Sequence, residues 1–421
     1  VSTWPWIPRA DDGPTRTDTL DELDMRLVTV LQDSPRAEWS EVGAVLGVDP
    51  STAARRWARL ATAGHAWFSC YPVSLEGAPL IVAFVEVDCA PGRVHDVAVE
   101  VAGDPHVFSA EHVTGARGLV LTCVFGSLAE LARYTGMRVG ALPGVAASRT
   151  QIATALHMDG SRWRLDRTSA RPRLARTAST AAPGAGSSPV RREDQALVRA
   201  LADDPRQSVA GLARSTGLSP TTVRRRLRRL EESRSLVFRC EVARGLSGWP
   251  VSVSLWCSAP PKDTARIAAY VSGLREVRLV ASLTGPHNLL FAAWLRSVDD
   301  IHVFESQLTA PFPGLTVADR AVTLWPVKLA GHLLDPAGRR VGAVPLKGWD
   351  PAPSPPTRTP CSDDCAAGAH RRGNRLPSSW LRSGWPSFHD RGLWETSGCC
   401  RLRVIVAAVR PDREESRPFR P

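Results

Sequence analysis

An α+β fold built twice within one chain is what this sequence predicts, each copy a helical half followed by a half that alternates strand with helix. Three observations carry that expectation. Landmarks recur at one constant spacing: Gly47 as Gly217, Pro50 as Pro220, Thr52 as Thr222, Leu60 as Leu230, Phe68 as Phe238, Gly115 as Gly285, and Pro143-Gly144 as Pro313-Gly314, every pair 170 residues apart. Apolar residues in roughly the first fifty positions of each copy recur at the helical period, and the following hundred or so switch repeatedly between strand and helix patterns. A period this long lies far outside the roughly 20–50 residues of a solenoid unit. Residues 20–156 and 190–326 are therefore a duplicated multi-element unit.

The helical half is clearest in copy two. Ala196, Leu197, Ala200 and Leu201 make one apolar stripe, and Val209, Leu212 and Ala213 a second, shorter one. Ser219 then precedes Pro220, an N-cap followed by proline at the first helical position. The third helix, PTTVRRRLRRLEE, puts Val223, Leu227 and Leu230 on one face, where copy one has Ala53, Trp57 and Leu60. Gly217 can take positive φ in the turn before it without a Cβ clash. Ala213 lets the two helices approach, and Gly43 and Gly47 hold the same places in copy one.

Two short helices joined by a tight turn, the second strongly basic, read as a helix-turn-helix. With 223/227/230 inward, Thr222, Arg225, Arg226 and Arg229 project outward and Arg224 and Arg228 flank them. Ser219 and Thr221 join them at the helix start. Thr52, Arg55, Arg56 and Arg59 are the counterparts in copy one, which lacks arginines at 53, 54 and 58. Outward Thr and Arg suit phosphates, and Arg suits guanine O6 and N7 bidentately. The expected partner is double-stranded DNA. An ordinary amphipathic helix with a solvated arginine face would also be basic, but it would not need the cap, the turn glycine and the same outward residues twice.

The second half of copy two reads as a strand at 250–258, a helix at 263–274, strands at 276–284 and 288–296, a helix at 298–309 and a strand at 315–326. Copy one gives strands near 80–88, 106–114, 119–125 and 146–156, with helices near 92–102 and 127–138. This β-α-β-β-α-β order is that of a ferredoxin-like sandwich, whose helices cover one face of an antiparallel sheet. The expected organisation is a leader (1–18), helix-turn-helix (19–70), sandwich (71–159), flexible linker (160–189), helix-turn-helix (190–240), sandwich (241–334) and disordered tail (335–421). The linker and tail rest on composition: few large apolar residues in one, scattered Pro, Arg and Trp without period in the other.

The net charge of +11 is not spread evenly. Residues 160–192 carry eight arginines against one aspartate, and residues 345–421 thirteen Lys/Arg against eight Asp/Glu, so the remainder is close to neutral. The DNA reading therefore rests on the placement of arginines rather than on overall charge. Hydrophobic content of 43% suits a globular chain, no apolar run reaches membrane-span length, and VSTWPWIPRADDG lacks signal-peptide order. A cytoplasmic, non-membrane protein is expected. Cys70, Cys89, Cys123, Cys240 and Cys257 sit singly in apolar stretches as core thiols. Cys361, Cys365, His370, Cys399 and Cys400 lack the compact paired spacing of a zinc site, so no metal and no cofactor is expected.

The stretch SVAGLARSTGLSPTTVRRRLRRLEESRSLVFRCEV, the short strand after it and the β-α-β-β-α-β half resemble the Lrp/AsnC family of feast/famine transcriptional regulators, over roughly 20–158 and 190–334. LTGPHNLLF (283–291) and VTGARGLVL (113–121) resemble that family's glycine-centred turn between the second and third strands. The resemblance implies sandwiches that pair sheet to sheet and, in many members, an amino acid or similar effector between them. Gly115, Gly285, His287 and Asn288 become the candidate effector residues. The family commonly has an acidic residue three after the turn glycine; this chain has Gly118 and Asn288. The resemblance further implies that the two copies pair as an intramolecular pseudo-dimer, with the remaining surfaces available for a homo-oligomer. A linker of 30 residues spans roughly 30 Å as a coil, close to the about 34–36 Å between half-sites one helical turn apart.

No GxSxG, P-loop, HExxH or well-placed GxGxxG occurs, so an enzyme is not expected. One catalytic alternative shares the fold. Siroheme decarboxylases resemble Lrp/AsnC proteins, and a tetrapyrrole substrate would call on His106, His112, His287 and His302.

Overall fold

The computed structural model describes residues 19–77, 80–166 and 187–346. The expected leader, most of the expected linker and tail, and the cysteines beyond position 360 lie outside the described residues. Copy one begins with α1 (Glu22–Asp33), α2 (Trp39–Leu46) and α3 (Pro50–Thr62), followed by β1 (Ala66–Pro72). Then come β2 (Ile81–Cys89), α4 (Val94–Ala102), β3 (Val107–Val113), β4 (Leu119–Phe125), α5 (Leu128–Arg133) and β5 (Val145–Met158). Copy two repeats the series as α6 (Gln195–Asp203), α7 (Val209–Thr216), α8 (Pro220–Glu232), β6 (Leu236–Val242), β7 (Val251–Ser258) and α9 (Thr264–Ser272). It continues with β8 (Val277–Leu283), β9 (Leu289–Leu295), α10 (Asp300–Thr309) and β10 (Thr316–Leu329), and a hairpin, β11 (His332–Leu334) and β12 (Arg340–Ala343), follows.

The expectation of two open ferredoxin-like sandwiches is corrected by the sheet. Its strands run β10-β3-β4-β2-β5-β8-β9-β7, and β7 pairs back onto β10, so eight strands close into one barrel. The cause lies in the last strand of each copy. β5 and β10 are 14 residues long, more than twice the usual strand, and each overruns its own copy. β5 pairs with β2 through Ile152 and with β8 from Ala153 onward. β10 likewise pairs with β7 through Val322 and with β3 from Thr323. The backbone groups that would line two open edges bond instead to the other copy, which removes the edges altogether.

Alternation along the strands sorts the core. Residues such as Val85, Val87, Leu119 and Leu121 face outward and pack under Val97 and Val101 of α4. Leu255 and Phe291 do the same with Ile267 of α9 and Phe304 of α10. Inward, Phe84, Val120, Trp256 and Leu290 meet inside the barrel. β1 and β6 form a separate two-stranded antiparallel ribbon. In it Ser69 pairs with Arg239, two residues one repeat apart, so a local twofold axis passes between them. α1 packs on β6 and α6 on β1, so each helical unit leans on the other copy's strand.

Two expected boundaries move. The expected linker starts later than residue 160: Gly160–Arg162 form a helical turn, Trp163 and Leu165 are buried, and Arg164 pairs with Asp33 at 2.8 Å. The expected tail also starts later, because β12 pairs with β11 and Arg340 N–H donates to the Gly64 carbonyl at 2.8 Å. Composition misses both because a few apolar anchors suffice to hold a short segment. Cys70, Cys123, Cys240 and Cys257 are buried free thiols, and Cys89 is half-buried.

Candidate nucleic-acid interface and barrel cavity

Each helical unit has the local chemistry of a reader. The Ser219 hydroxyl caps α8 by accepting from Thr222 N–H, and Asp49 caps α3 by accepting from Ser51 N–H. Gly47 and Gly217 end α2 and α7 in the left-handed region, at φ 71° and 70°. An added Cβ at Gly43 would sit 2.7 Å from the Val48 carbonyl oxygen, which explains the small residue there. Val223, Leu227 and Leu230 are buried on α8, as are Ala53, Trp57 and Leu60 on α3.

The outward arginines fall into two groups. Arg226 and Arg229 turn back to the start of α6: Arg229 lies 2.5 Å from Asp194 and 3.0 Å from Glu193, and Arg226 3.5 Å from each. Copy one repeats the device, with Arg56 at 2.6 Å from Asp21 and 2.9 Å from Asp24, and Arg59 at 2.5 Å from Asp24. These arginines tie the third helix to the first. By contrast Arg224, Arg225, Arg228 and Thr221 are exposed, and none of the three arginines is in an ion pair among the described residues; Thr222 is half-buried. At the corresponding places of copy one stand Ala54, Arg55, Ala58 and Ser51, with Thr52 half-buried and Arg55 exposed. Spacing alone could not separate the groups, because the partner acids come from another helix.

The two readers hold each other directly. Arg36 donates to the carbonyls of Pro205 and, at 3.3 Å, Gln207, while Arg206 donates to those of Pro35 at 2.6 Å and Ala37 at 2.7 Å. Every residue in this clasp is exchanged for its repeat counterpart by the local twofold.

Of the effector candidates, the two turn glycines lie at the seams between copies, Gly115 beside Arg320 and Gly285 beside Gln151. Gly115 and Gly285 have φ of 102° and 104°, where a side chain is disfavoured. Beside them Thr114 Oγ1 accepts from Val322 N–H and Thr284 Oγ1 from Ile152 N–H, both at 2.9 Å. His287 lies 3.2 Å from the Ser258 hydroxyl. Asn288 has its amide engaged at both ends by Ala259, accepting at 3.0 Å and donating at 2.8 Å.

Inside the barrel, under the β1–β6 ribbon, is a cavity of about 330 Å³ that all eight barrel strands line. None of the four histidines noted for tetrapyrrole chemistry lines it. His106 stacks on Phe125 at 4.9 Å, His112 meets His95 edge-on at 5.6 Å, and His302 is exposed on α10. Among the described residues no group of three His, Cys, Asp or Glu side chains is arranged to hold a metal ion, and no helix is long and apolar enough to cross a membrane.

The family model for an AsnC-type helix-turn-helix domain matches residues 20–61 and 193–231, and that for the Lrp/AsnC ligand binding domain matches residues 82–162. An uncharacterized HTH-type transcriptional regulator of Pyrococcus horikoshii is 30% identical over 138 residues, covering 32% of this chain and 87% of the relative. A further uncharacterized HTH-type regulator, from Pyrococcus furiosus, is 30% identical over 138 residues, covering 32% of this chain and 93% of its own. Among solved structures, the siroheme decarboxylase NirDL in complex with an iron-uroporphyrin III analogue aligns over 74% of this chain and 94% of its own. The identity there is 15% and the TM-score 0.46.

Proposed function

Because this chain belongs to the Lrp/AsnC family of DNA-binding transcriptional regulators, we propose that it reads an asymmetric operator chiefly through α8. The observation that carries this reading is the division of the arginines. Arg226 and Arg229 are held by Glu193 and Asp194 and set the pitch of the helix. Arg224, Arg225 and Arg228, with Ser219 and Thr221 at the helix start, face the solvent, and together with the half-buried Thr222 they meet the major groove. In copy one Arg56 and Arg59 play the holding part, leaving Arg55 and Thr52 to touch DNA. The operator is then an imperfect palindrome whose stronger half faces copy two. A cytoplasmic location belongs to the same reading. So does control by an amino-acid-like effector at Gly115, Gly285, His287 and Asn288, although Asn288 would give up two hydrogen bonds to Ala259 to take one.

Gel-shift titration on the promoter of its own operon tests the assignment. Arg225→Ala with Arg228→Ala is expected to weaken binding by about 1–3 kcal/mol for each arginine that reads a base edge. For each one that neutralises a phosphate, the salt dependence should become shallower. Arg55→Ala should cost less. Retention of that promoter unchanged by the double substitution would sink the assignment of α8.

A further inference from the structure

The barrel cavity is polarised in a way that two identical subunits could not achieve. Much of its wall is apolar, with Val82, Phe84, Val120, Leu156, Leu279 and Leu290 from both copies. Four cations, Arg239, Arg244, Arg278 and Lys328, also line it, against the carboxylates Glu111 and Asp159. All four cations come from copy two. Their counterparts one repeat earlier are Ser69, Ser74, Phe108 and Met158, so the duplication has diverged inside the barrel. One exchange is explicit: Tyr71 meets Phe108 edge-on at 5.0 Å, whereas their counterparts Glu241 and Arg278 form an ion pair at 2.9 Å. One wall is aromatic where its mate is charged.

The charged wall is not fully satisfied from within. Arg278 is engaged, bonded to Glu241 and lying 3.7 Å from the Trp294 ring centre. Arg239 pairs with Glu241, yet its Nε–H has no partner although the side chain is only 4% exposed. Gly160 lets that guanidinium reach the wall, since an added Cβ would run into it. Arg244 donates to the Thr323 carbonyl at 3.2 Å, which uses one of five N–H donors. Glu111, the acid that faces it, is pushed by burial toward the neutral form. A buried donor left unpaired is costly and calls for an explanation. Lys328 differs, because its ammonium donates to the Asp104 carbonyl at 2.8 Å.

We propose that this cavity binds a small organic carboxylate with an apolar aromatic or branched body. The carboxylate faces Arg239 and Arg244, and the body lies against Phe84, Phe108 and Leu290. An eight-stranded barrel is wide enough to hold one small ligand, and a volume of about 330 Å³ lies at the small end of ligand pockets. The site is distinct from the turn residues at the seams, and it stands or falls independently of the DNA reading.

Calorimetric titration of the full chain without DNA tests it, using 3-phenylpropionate and its uncharged amide as probes. The acid is expected to bind saturably at one per chain and the amide at least tenfold more weakly. Arg244→Gln should weaken the acid at least tenfold and leave the amide unchanged. Ala292→Phe, which fills the cavity from β9, should abolish both. Absence of saturable acid binding to the folded wild type, equal binding of acid and amide, or full acid binding by Arg244→Gln each overturns the proposal. Should Ala292→Phe melt abnormally, the Arg244→Gln result decides.

Discussion

Asp24 and Asp194, 1% and 0% exposed, show how much a single carboxylate settles in this molecule. Each sits at the start of a reader and neutralises two arginines of the third helix. Removing one partner of a buried pair leaves the other charge uncompensated, at a cost of about 3–5 kcal/mol at the upper end. Arg229 is 34% exposed and Arg226 15%, so solvent will recover part of that. Asp194→Asn is therefore expected to destabilise copy two's reader by about 2 kcal/mol, read as a lower urea midpoint. His332 supplies a pH dependence. Its Nε2–H donates to the Phe68 carbonyl at 3.0 Å and its Nδ1 accepts from Arg340 at 3.1 Å, an arrangement only the neutral ring satisfies. Burial, aided by Arg340, pushes its pKa down to about 3 from the usual 6.5. The unfolded chain therefore takes up the proton first, and stability should fall as pH drops from about 6.5 toward 3. Replacing His332 with Gln should remove that slope in urea titrations; an unchanged slope would show that the ring is not its source. The outward positions of α8 are legible in the sequence, since 223/227/230 fix the buried face. Which outward arginines are already taken is not, because the acids that take them lie on another helix.

For the elements, the periods of two and 3.6 locate strands and helices, because each copy repeats the same punctuation of Pro and Gly. What they leave out is which strand edges meet. The signal lies in the length of β5 and β10: alternation alone ends these strands at 156 and 326, whereas they run to Met158 and Leu329. Those extra residues pair with the opposite copy, and closure joins segments over a hundred residues apart. β12 escapes notice for a similar reason, since its support comes from Gly64. That glycine has φ 71°, and a Cβ there would run into the Arg340 carbonyl oxygen. Gly64→Ala should thus combine backbone strain with a clash and cost about 1–3 kcal/mol. A chain ending after 334, which deletes β12, should melt several degrees lower than one ending after residue 346. Equal melting of both truncations would mean that the hairpin contributes nothing.

For the whole molecule, the duplication provides both halves of one barrel, both strands of one ribbon and both arms of the Arg36–Arg206 clasp. The repeat itself is plain in the sequence, and so is the pairing of copies that a family resemblance implies. The clasp is not, because an arginine that donates to loop carbonyls carries no distinguishing pattern. It fixes the distance between readers more tightly than a chain tether could. Replacing both Arg36 and Arg206 with alanine is expected to leave affinity for the natural operator within about tenfold while relaxing its geometry. An operator with five extra base pairs between half-sites, roughly half a helical turn, should exclude the wild type but bind the double variant. Equal discrimination by both proteins would show that the spacing is set elsewhere.

The fusion of two readers into one closed barrel also changes how a promoter senses this regulator. A protein that must first pair from separate subunits fills its operator with the square of its concentration when scarce, and it can be diluted by mixed pairs with related subunits. Here the pairing partner is always present at the same stoichiometry, so the two halves need no encounter before binding. Forming the pair of readers therefore adds no power of concentration to operator occupancy. Each half is sheltered from subunit exchange, which is the condition under which one could keep three free arginines while the other kept one.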